Sequence, residues 1–294
     1  MFSPRDVTVA LLLAVAVVVM VPLVRTHKAG QADTRQWKIA FDSFRSGTQE
    51  IYVMDPDGQN QKQLTHTPGK GKGSGYPQWS PDHTKIAFNS NRDGNWELYI
   101  MDFDGSNVRR LTRTRKGDVP WSPAWSPDGT KIAFISGPVP EAPWRPPADP
   151  WRKGHIYVME ADGSNPHILA HSPGEADDDL DWSRDGQKIL FESDRFGNEE
   201  IFVMDADGAN VQRLTYTPGR RRSLNPTWSP DGKKIAFGSA RDGKSKKRRD
   251  NFEMYVMDAD SSNLQRLTFN QAWDGHPIGN HEIVSVGEVR QRRR

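Results

Sequence analysis

The stretch Trp79–Thr112, WSPDHTKIAFNSNRDGNWELYIMDFDGSNVRRLT, decides the reading of this chain, because close variants of it recur along almost the whole length. Within it, Ile86-Ala87-Phe88 follows a Ser-Pro-Asp turn, Leu98-Tyr99-Ile100-Met101 comes next, and Val108 to Leu111 follows an Asp-Gly turn. Short apolar or β-branched runs punctuated by Pro, Asp and Gly predict strands joined by tight turns. Leu98 to Met101 is apolar at both parities, so both faces of that strand must be buried. A lone hairpin has no two dry faces; a sheet stacked between copies of itself does.

The copies align on Ile39-Ala40-Phe41, Ile86-Ala87-Phe88, Ile132-Ala133-Phe134, Ile189-Leu190-Phe191 and Ile235-Ala236-Phe237, at steps of 47, 46, 57 and 46 residues. Each is followed by a second run (Ile51 to Met54, Leu98 to Met101, Ile156 to Met159, Ile201 to Met204, Met254 to Met257). A third then ends near Leu64-Thr65, Leu111-Thr112, Ile168-Leu169, Leu214-Thr215 and Leu267-Thr268. Four copies also carry a preceding strand that ends in Trp79, Trp125, Trp182 or Trp228, always seven residues before the Ile. Four short strands per unit at a period in the forties predict an all-β propeller of four-stranded blades. The first copy lacks a leading strand, while His276-Pro277-Ile278 and Glu282-Ile283-Val284-Ser285-Val286 are surplus at the other end. A ring loses its sheet edges only by closing. The C-terminal strand is therefore expected to complete the first blade, giving five blades; a frayed sixth is the alternative.

Ahead of the repeats, Val7 to Val24 is an uncharged apolar run of 18 residues, flanked by Arg5 and by Arg25, His27 and Lys28. At about 1.5 Å per residue a helix of this length approaches the ~30 Å hydrocarbon core. The nearest small-x-small site, Gly30-Gln31-Ala32, lies well beyond the run. An uncleaved signal-anchor, a single transmembrane helix, is expected rather than a cleaved signal peptide. The chain thus divides into an anchor over 1–25, a linker over 26–36, a propeller over 37–287 and a basic tail over 288–294. The propeller is expected on the extracytoplasmic, periplasmic side. The slight Lys/Arg excess after the run points the other way, so a cytoplasmic-facing propeller is one alternative and secretion after cleavage another. The 294 residues contain no Cys, which excludes a disulfide scaffold, a thiol nucleophile and Cys-based zinc, and a net charge of +2 places any electrostatic role in local clusters.

The run Trp228-Ser229-Pro230-Asp231-Gly232-Lys233-Lys234-Ile235-Ala236-Phe237, followed by Tyr255-Val256-Met257-Asp258-Ala259-Asp260 and Arg266-Leu267-Thr268, resembles the TolB-type β-propeller repeat. The same repeat occurs in the propellers that cap prolyl-oligopeptidase-type peptidases. The resemblance covers about residues 37 to 268 and implies a propeller with a binding role. TolB-type proteins carry an α/β domain before a six-bladed propeller, whereas the 36 residues here read as anchor and linker. The peptidases need a Gly-x-Ser-x-Gly elbow, and this sequence has none.

The Asp-Gly turns (Asp55 to Gly58, Asp102 to Gly105, Glu160 to Gly163, Asp205 to Gly208) space oxygens as calcium loops do. No closing bidentate acid follows, and Asp and Gly are what tight hairpins require. They read as turns, and the repeat tryptophans read as packing between blades rather than as a sugar platform. The eight His residues show no metal or triad spacing. No catalytic residue, metal or cofactor is expected.

Function is sought where the copies differ. Turns after the first and third strands share one rim and are uniform; connections after the second and fourth share the other and vary. That variable rim carries Trp144 and Trp151 on a Pro-rich loop, Arg220, Arg221 and Arg222, and Lys246, Lys247, Arg248 and Arg249. An acidic sector over Asp177, Asp178 and Asp179 joins them. Stiff aromatic loops with mixed charges anchor and steer a protein or peptide. A nucleic acid would ask for a uniformly positive face. The expected function is a non-catalytic, membrane-anchored binding propeller. A propeller lyase or hydrolase with a central-channel site, or an accessory propeller of a peptidase, is the alternative.

Overall fold

Among the described residues the Pro-Asp-Gly punctuation separates twenty strands, and every four consecutive strands pair antiparallel into one sheet. The computed structural model describes residues 19–23, 36–138, 154–170, 177–219, 221–242 and 252–269. Blade one holds β1 (Val19–Leu23), β2 (Gln36–Ser43), β3 (Glu50–Met54) and β4 (Lys62–Gln63). Blade two holds β5 (Ser74–Trp79), β6 (Lys85–Ser90), β7 (Glu97–Asp102) and β8 (Arg109–Arg110). Blade three follows with β9 (Asp118–Trp125), β10 (Lys131–Pro138), β11 (His155–Glu160) and β12 (His167–Ala170). Blade four has β13 (Asp177–Trp182), β14 (Lys188–Ser193), β15 (Glu200–Asp205) and β16 (Gln212–Arg213). Blade five has β17 (Ser223–Trp228), β18 (Lys234–Ser239), β19 (Glu253–Asp258) and β20 (Gln265–Arg266). The first strands β5, β9, β13 and β17 pack on one another in turn and so wall the central channel.

Both faces of a blade are apolar because neighbouring blades cover them. Ala40, Ile51, Val53 and Leu64 of blade one meet Trp79, Ile86, Phe88, Tyr99 and Met101 of blade two in one buried cluster. Ala87, Leu98, Ile100 and Leu111 then meet Trp125, Ile132, Phe134 and Met159 of blade three. Leu190, Ile201, Val203 and Leu214 meet Trp228, Ile235, Phe237, Tyr255 and Met257 of blade five. Each such side chain contributes about 1.5–3 kcal/mol on burial, so the stack of faces is where the stability sits. Trp182 takes the same place between blades three and four, so the repeat tryptophans are in the interfaces, as expected.

Four blades add a clamp at the turn after the second strand. Arg45, Arg92, Arg195 and Arg241 lay their guanidinium groups over the aromatic pairs Phe41/Tyr52, Phe88/Tyr99, Phe191/Phe202 and Phe237/Tyr255. Arg92 sits 5.2 and 5.0 Å from its two ring centroids, and its Nε donates to Ser90 Oγ at 3.2 Å. Lysine keeps the charge but loses the flat fork that stacks and hydrogen-bonds together. Arg92→Lys is expected to lower stability by about 1 kcal/mol, visible as a drop of a few degrees in the thermal midpoint.

Blade one corrects the expected closure. The strand beside β2 is β1, paired from Val19↔Ala40 to Leu23↔Gln36, and not the C-terminal strand. Val19-Met20-Val21-Pro22-Leu23 lies inside the run read as a transmembrane helix. β-branched residues suit a strand as well as a membrane span, and Pro22 is tolerated because β1 is an edge strand. Among the described residues no helix is long and apolar enough to cross a membrane. The rest of the apolar run and residues 270–294 lie outside the described residues.

Candidate functional site

The two rims of the propeller differ as the sequence implies. On the uniform rim every turn carboxylate is taken up locally. Asp102 accepts from Lys85 Nζ at 2.8 Å and Asn107 Nδ2 at 2.6 Å. Asp104 accepts from the Ser106 amide at 2.9 Å, and Asp82 from Ser80 Oγ at 2.6 Å. The Lys85 and Asn107 bonds hold the Asp102 carboxyl below its usual range, and blades four and five repeat the arrangement through Lys188–Asp205 and Lys234–Asp258. Among the described residues no group of three His, Cys, Asp or Glu is placed to hold a metal ion.

On the variable rim much of the charge is construction as well. The clamp arginines point there, and so do Glu97, Glu200 and Glu253, which open the third strands and pair with Arg110, Arg213 and Arg266. What remains are departures from the repeat, and blade four has the clearest one. In blade two the Tyr99 hydroxyl donates to Asp93 at 2.7 Å, and in blade five Tyr255 donates to Asp242 at 2.6 Å. Blade four replaces this Asp/Tyr pair by Phe196 and Phe202, stacked with centroids 6.0 Å apart. Phe196 is left 65% exposed where blades two and five show a carboxylate, and Tyr216 beside it is 72% exposed. The Arg213 guanidinium bridges the two rings, 5.5 Å from Phe196 and 4.6 Å from Tyr216, while its NH2 stays on Glu200 at 2.9 Å. A fixed cation between two exposed rings is a preformed anchor.

The sequence-derived rim residues fall as follows. Arg221 and Arg222 lie on this rim, on the connection from blade four to blade five. Arg222 NH1 pairs with Glu199 at 2.6 Å and the guanidinium covers Phe252 at 5.5 Å. Arg221 NH1 donates to the Arg241 carbonyl at 3.0 Å. Trp144, Trp151, Arg220, Lys246, Lys247, Arg248 and Arg249 lie outside the described residues. The loop bearing the tryptophans leaves from β10 and returns at Gly154, where a Cβ would lie 2.3 Å from Ile135 Cγ2 and 2.8 Å from the Trp121 ring.

Asp177, Asp178 and Asp179 are not a loop sector: they belong to β13. The reason is a bulge shared by the first strands of blades two to five. The residue three before each Trp (Tyr76, Ser122, Asp179 and Asn225) takes a left-handed φ of 54°, 49°, 46° and 55°. The bulge lengthens each strand and breaks its register. Asp179 is half-buried and accepts from the Asn225 side chain. Asp181, two residues on, accepts from Thr227 Oγ1 at 2.9 Å and the Trp228 amide at 2.8 Å. Burial pushes the Asp181 carboxyl up to about 7 and Asp179 to about 6. Sequence reasoning missed the Phe196–Arg213–Tyr216 cluster, although Arg-Phe-Gly in place of Arg-Asp-Gly was a visible signal.

The sequence profile of the TolB beta propeller domain matches residues 31–139 and 152–246. The chain belongs to that family. No curated protein sequence matches it. Among solved structures, this TolB-type propeller is similar to TolB from Acinetobacter baumannii, with 23% identity, a TM-score of 0.62, and 83% of this chain and 55% of that one covered. It is also similar to a manganese complex of an oligogalacturonate lyase, at 17% identity and a TM-score of 0.58, covering 86% and 74%. A puromycin-hydrolyzing peptidase of Mycobacterium tuberculosis gives 20% identity and a TM-score of 0.60, covering 85% and 37%. The chain therefore spans about half of the TolB chain and a smaller part of the peptidase. Likeness at these identities shows the fold alone, and that fold is carried by TolB, by a lyase and by a peptidase alike.

Proposed function

We propose that this TolB-type propeller is a non-catalytic binding module that takes a protein or peptide on its variable rim, through Phe196, Arg213 and Tyr216. The observation that carries the reading is the exposed Phe196. A phenyl ring stands in water where blades two and five place a carboxylate, and its stack on Phe202 and its contact with Arg213 cover only part of it, while the Phe191/Phe202 pair beneath is complete without it. The cation between the rings suits a partner segment with an acidic residue next to an aromatic or aliphatic one. Arg221, Arg222 and the lysine-rich and tryptophan-bearing loops of the same rim extend the surface. The channel carboxylates Asp179 and Asp181 are engaged by blade five, which argues against a channel enzyme.

A photo-crosslinking residue placed at Phe196, at Tyr216 or at Phe103 on the uniform rim tests the proposal in the full-length protein. The same adduct from the first two positions and none from Phe103 is expected. The double variant Phe196→Asp/Phe202→Tyr restores the sister pattern and is expected to weaken capture at least tenfold with the thermal midpoint unchanged. Equal adducts from both rims, or adducts only between copies of the chain, overturn it.

Membrane attachment on the extracytoplasmic side is the second part of the proposal and rests on the apolar run alone. With β1 paired into blade one, residues 7–18 would reach about 18 Å as a helix, short of the ~30 Å core. Spanning by the whole run therefore requires β1 to leave β2. Alkaline extraction of membranes, with a topology reporter after Arg294, decides whether the chain is integral and which side it faces.

A further inference from the structure

Blade five has one face that nothing described covers. In blades one, two and four the face turned to the next blade is sealed: Leu64, Leu111 and Leu214 are 7%, 9% and 5% exposed. The matching residue of blade five, Leu267, is 47% exposed. The same break runs along the strands. In β7 and β15 the first five residues are all buried, whereas in β19 burial alternates, with Met254 and Val256 only partly covered. Ala236 of β18 is likewise partly open, while its counterparts Ala40, Ala87, Ala133 and Leu190 are at 0%. Among the described elements each blade packs on the next from one to five, and no comparable packing joins five back to one.

We propose that the chain's own C-terminal segment, through Glu282–Val286, seals this face. Three observations select it over a second copy. It begins at Phe269, on the rim where a connection to a next blade would start, and 25 residues follow. Elsewhere the chain passes from a fourth strand to the next blade's first strand in six to ten residues, a span the segment exceeds before it reaches Glu282. Its run Ile283-Val284-Ser285-Val286 is the last apolar run of the chain, and the place beside β2 that would otherwise receive it is held by β1. Ala236, Met254, Val256 and Leu267 form an aliphatic strip that such a strand matches.

The absence of native Cys makes a thiol test clean. Leu267→Cys is combined in turn with Ile283→Cys, Val284→Cys or Val286→Cys in the full-length chain and oxidised. An intrachain disulfide at monomer mass is expected from at least one pair. Alone, Leu267→Cys is expected to react with a maleimide at least tenfold more slowly than Leu264→Cys, whose own site is 45% exposed in a turn of the uniform rim. Disulfides formed only between chains place a second copy on the face and overturn the proposal. Equal labelling rates with no disulfide from any pair overturn it too, by showing the face open.

Discussion

Replacing Glu200 with alanine is expected to lower the stability of the propeller by about 3–5 kcal/mol, the cost of stranding the partners of a buried carboxylate. Glu200 opens β15 and is fully buried. It accepts from the Thr217 amide at 2.6 Å, Thr217 Oγ1 at 2.9 Å, Asn198 Nδ2 at 2.8 Å and Arg213 NH2 at 2.9 Å, and from Thr215 Oγ1. Thr215 Oγ1 in turn accepts the Ile201 amide at 2.9 Å. From Thr217 a line of hydroxyls runs to Ser223 at 2.8 Å and on to Ser239 at 2.9 Å, crossing from blade four to blade five. Glu50 holds Thr65, Thr67, Ser74 and Ser90 in the same way between blades one and two. Alanine removes the acceptor and orphans donors of blade four and of its connection to blade five, whereas glutamine keeps an oxygen and should lose about half as much. Thermal melts by circular dichroism read the difference. Hydrogen exchange should place the loosening at the blade-four to blade-five interface, because stacked repeats feel mainly their neighbours. An alanine variant as stable as the parent would mean that water replaces the carboxylate there.

How much of this was legible in the sequence depended on the range of the interaction. The blades were, because period, strand parity and turn residues are local and recur in register from Ile39 to Phe237. The role of Glu50, Glu97, Glu200 and Glu253 was not read. Each stands at the start of a strand, and the threonines it holds lie 15 to 17 residues on and outside the strand itself. The apolar run at Val19–Leu23 satisfied two readings at once, since Val and Leu suit a hydrocarbon span and an edge strand equally, and only pairing with β2 separates them. Asp177 to Asp179 looked like a solvated charge cluster because the bulge that draws them into β13 leaves no composition signature. For the candidate site the rim was legible from where the copies diverge. The anchor within it was not, because Phe196 departs from the repeat only together with Phe202 and takes its meaning from Arg213, a strand away.

The channel carboxylates give the second large effect. An Asp whose folded pKa is raised holds its proton in the folded state over a range in which the unfolded chain has already released it. Between the unfolded value of 3.8 and about 7 for Asp181, the native state therefore binds more protons, and stability falls as pH rises across that window. Burial is the leading cause, offset in part by the Trp228 amide and the Thr227 hydroxyl that favour the ionised form. Asp179 adds a parallel contribution up to about 6, where burial outweighs its bond from Asn225. The parent protein is accordingly expected to be more stable at pH 5 than at pH 8. Asp181→Asn keeps an oxygen for Thr227 and Trp228 but has no charge to desolvate. It should gain about 1–3 kcal/mol at pH 8, close to nothing at pH 4, and flatten the upper part of the profile while leaving the Asp179 part below pH 6. Thermal midpoints of parent and variant at pH 4, 6 and 8 measure it. A variant that loses stability at pH 8 would show that the Asp181 charge is held by favourable partners on the channel wall, and would reopen that carboxylate as a functional group.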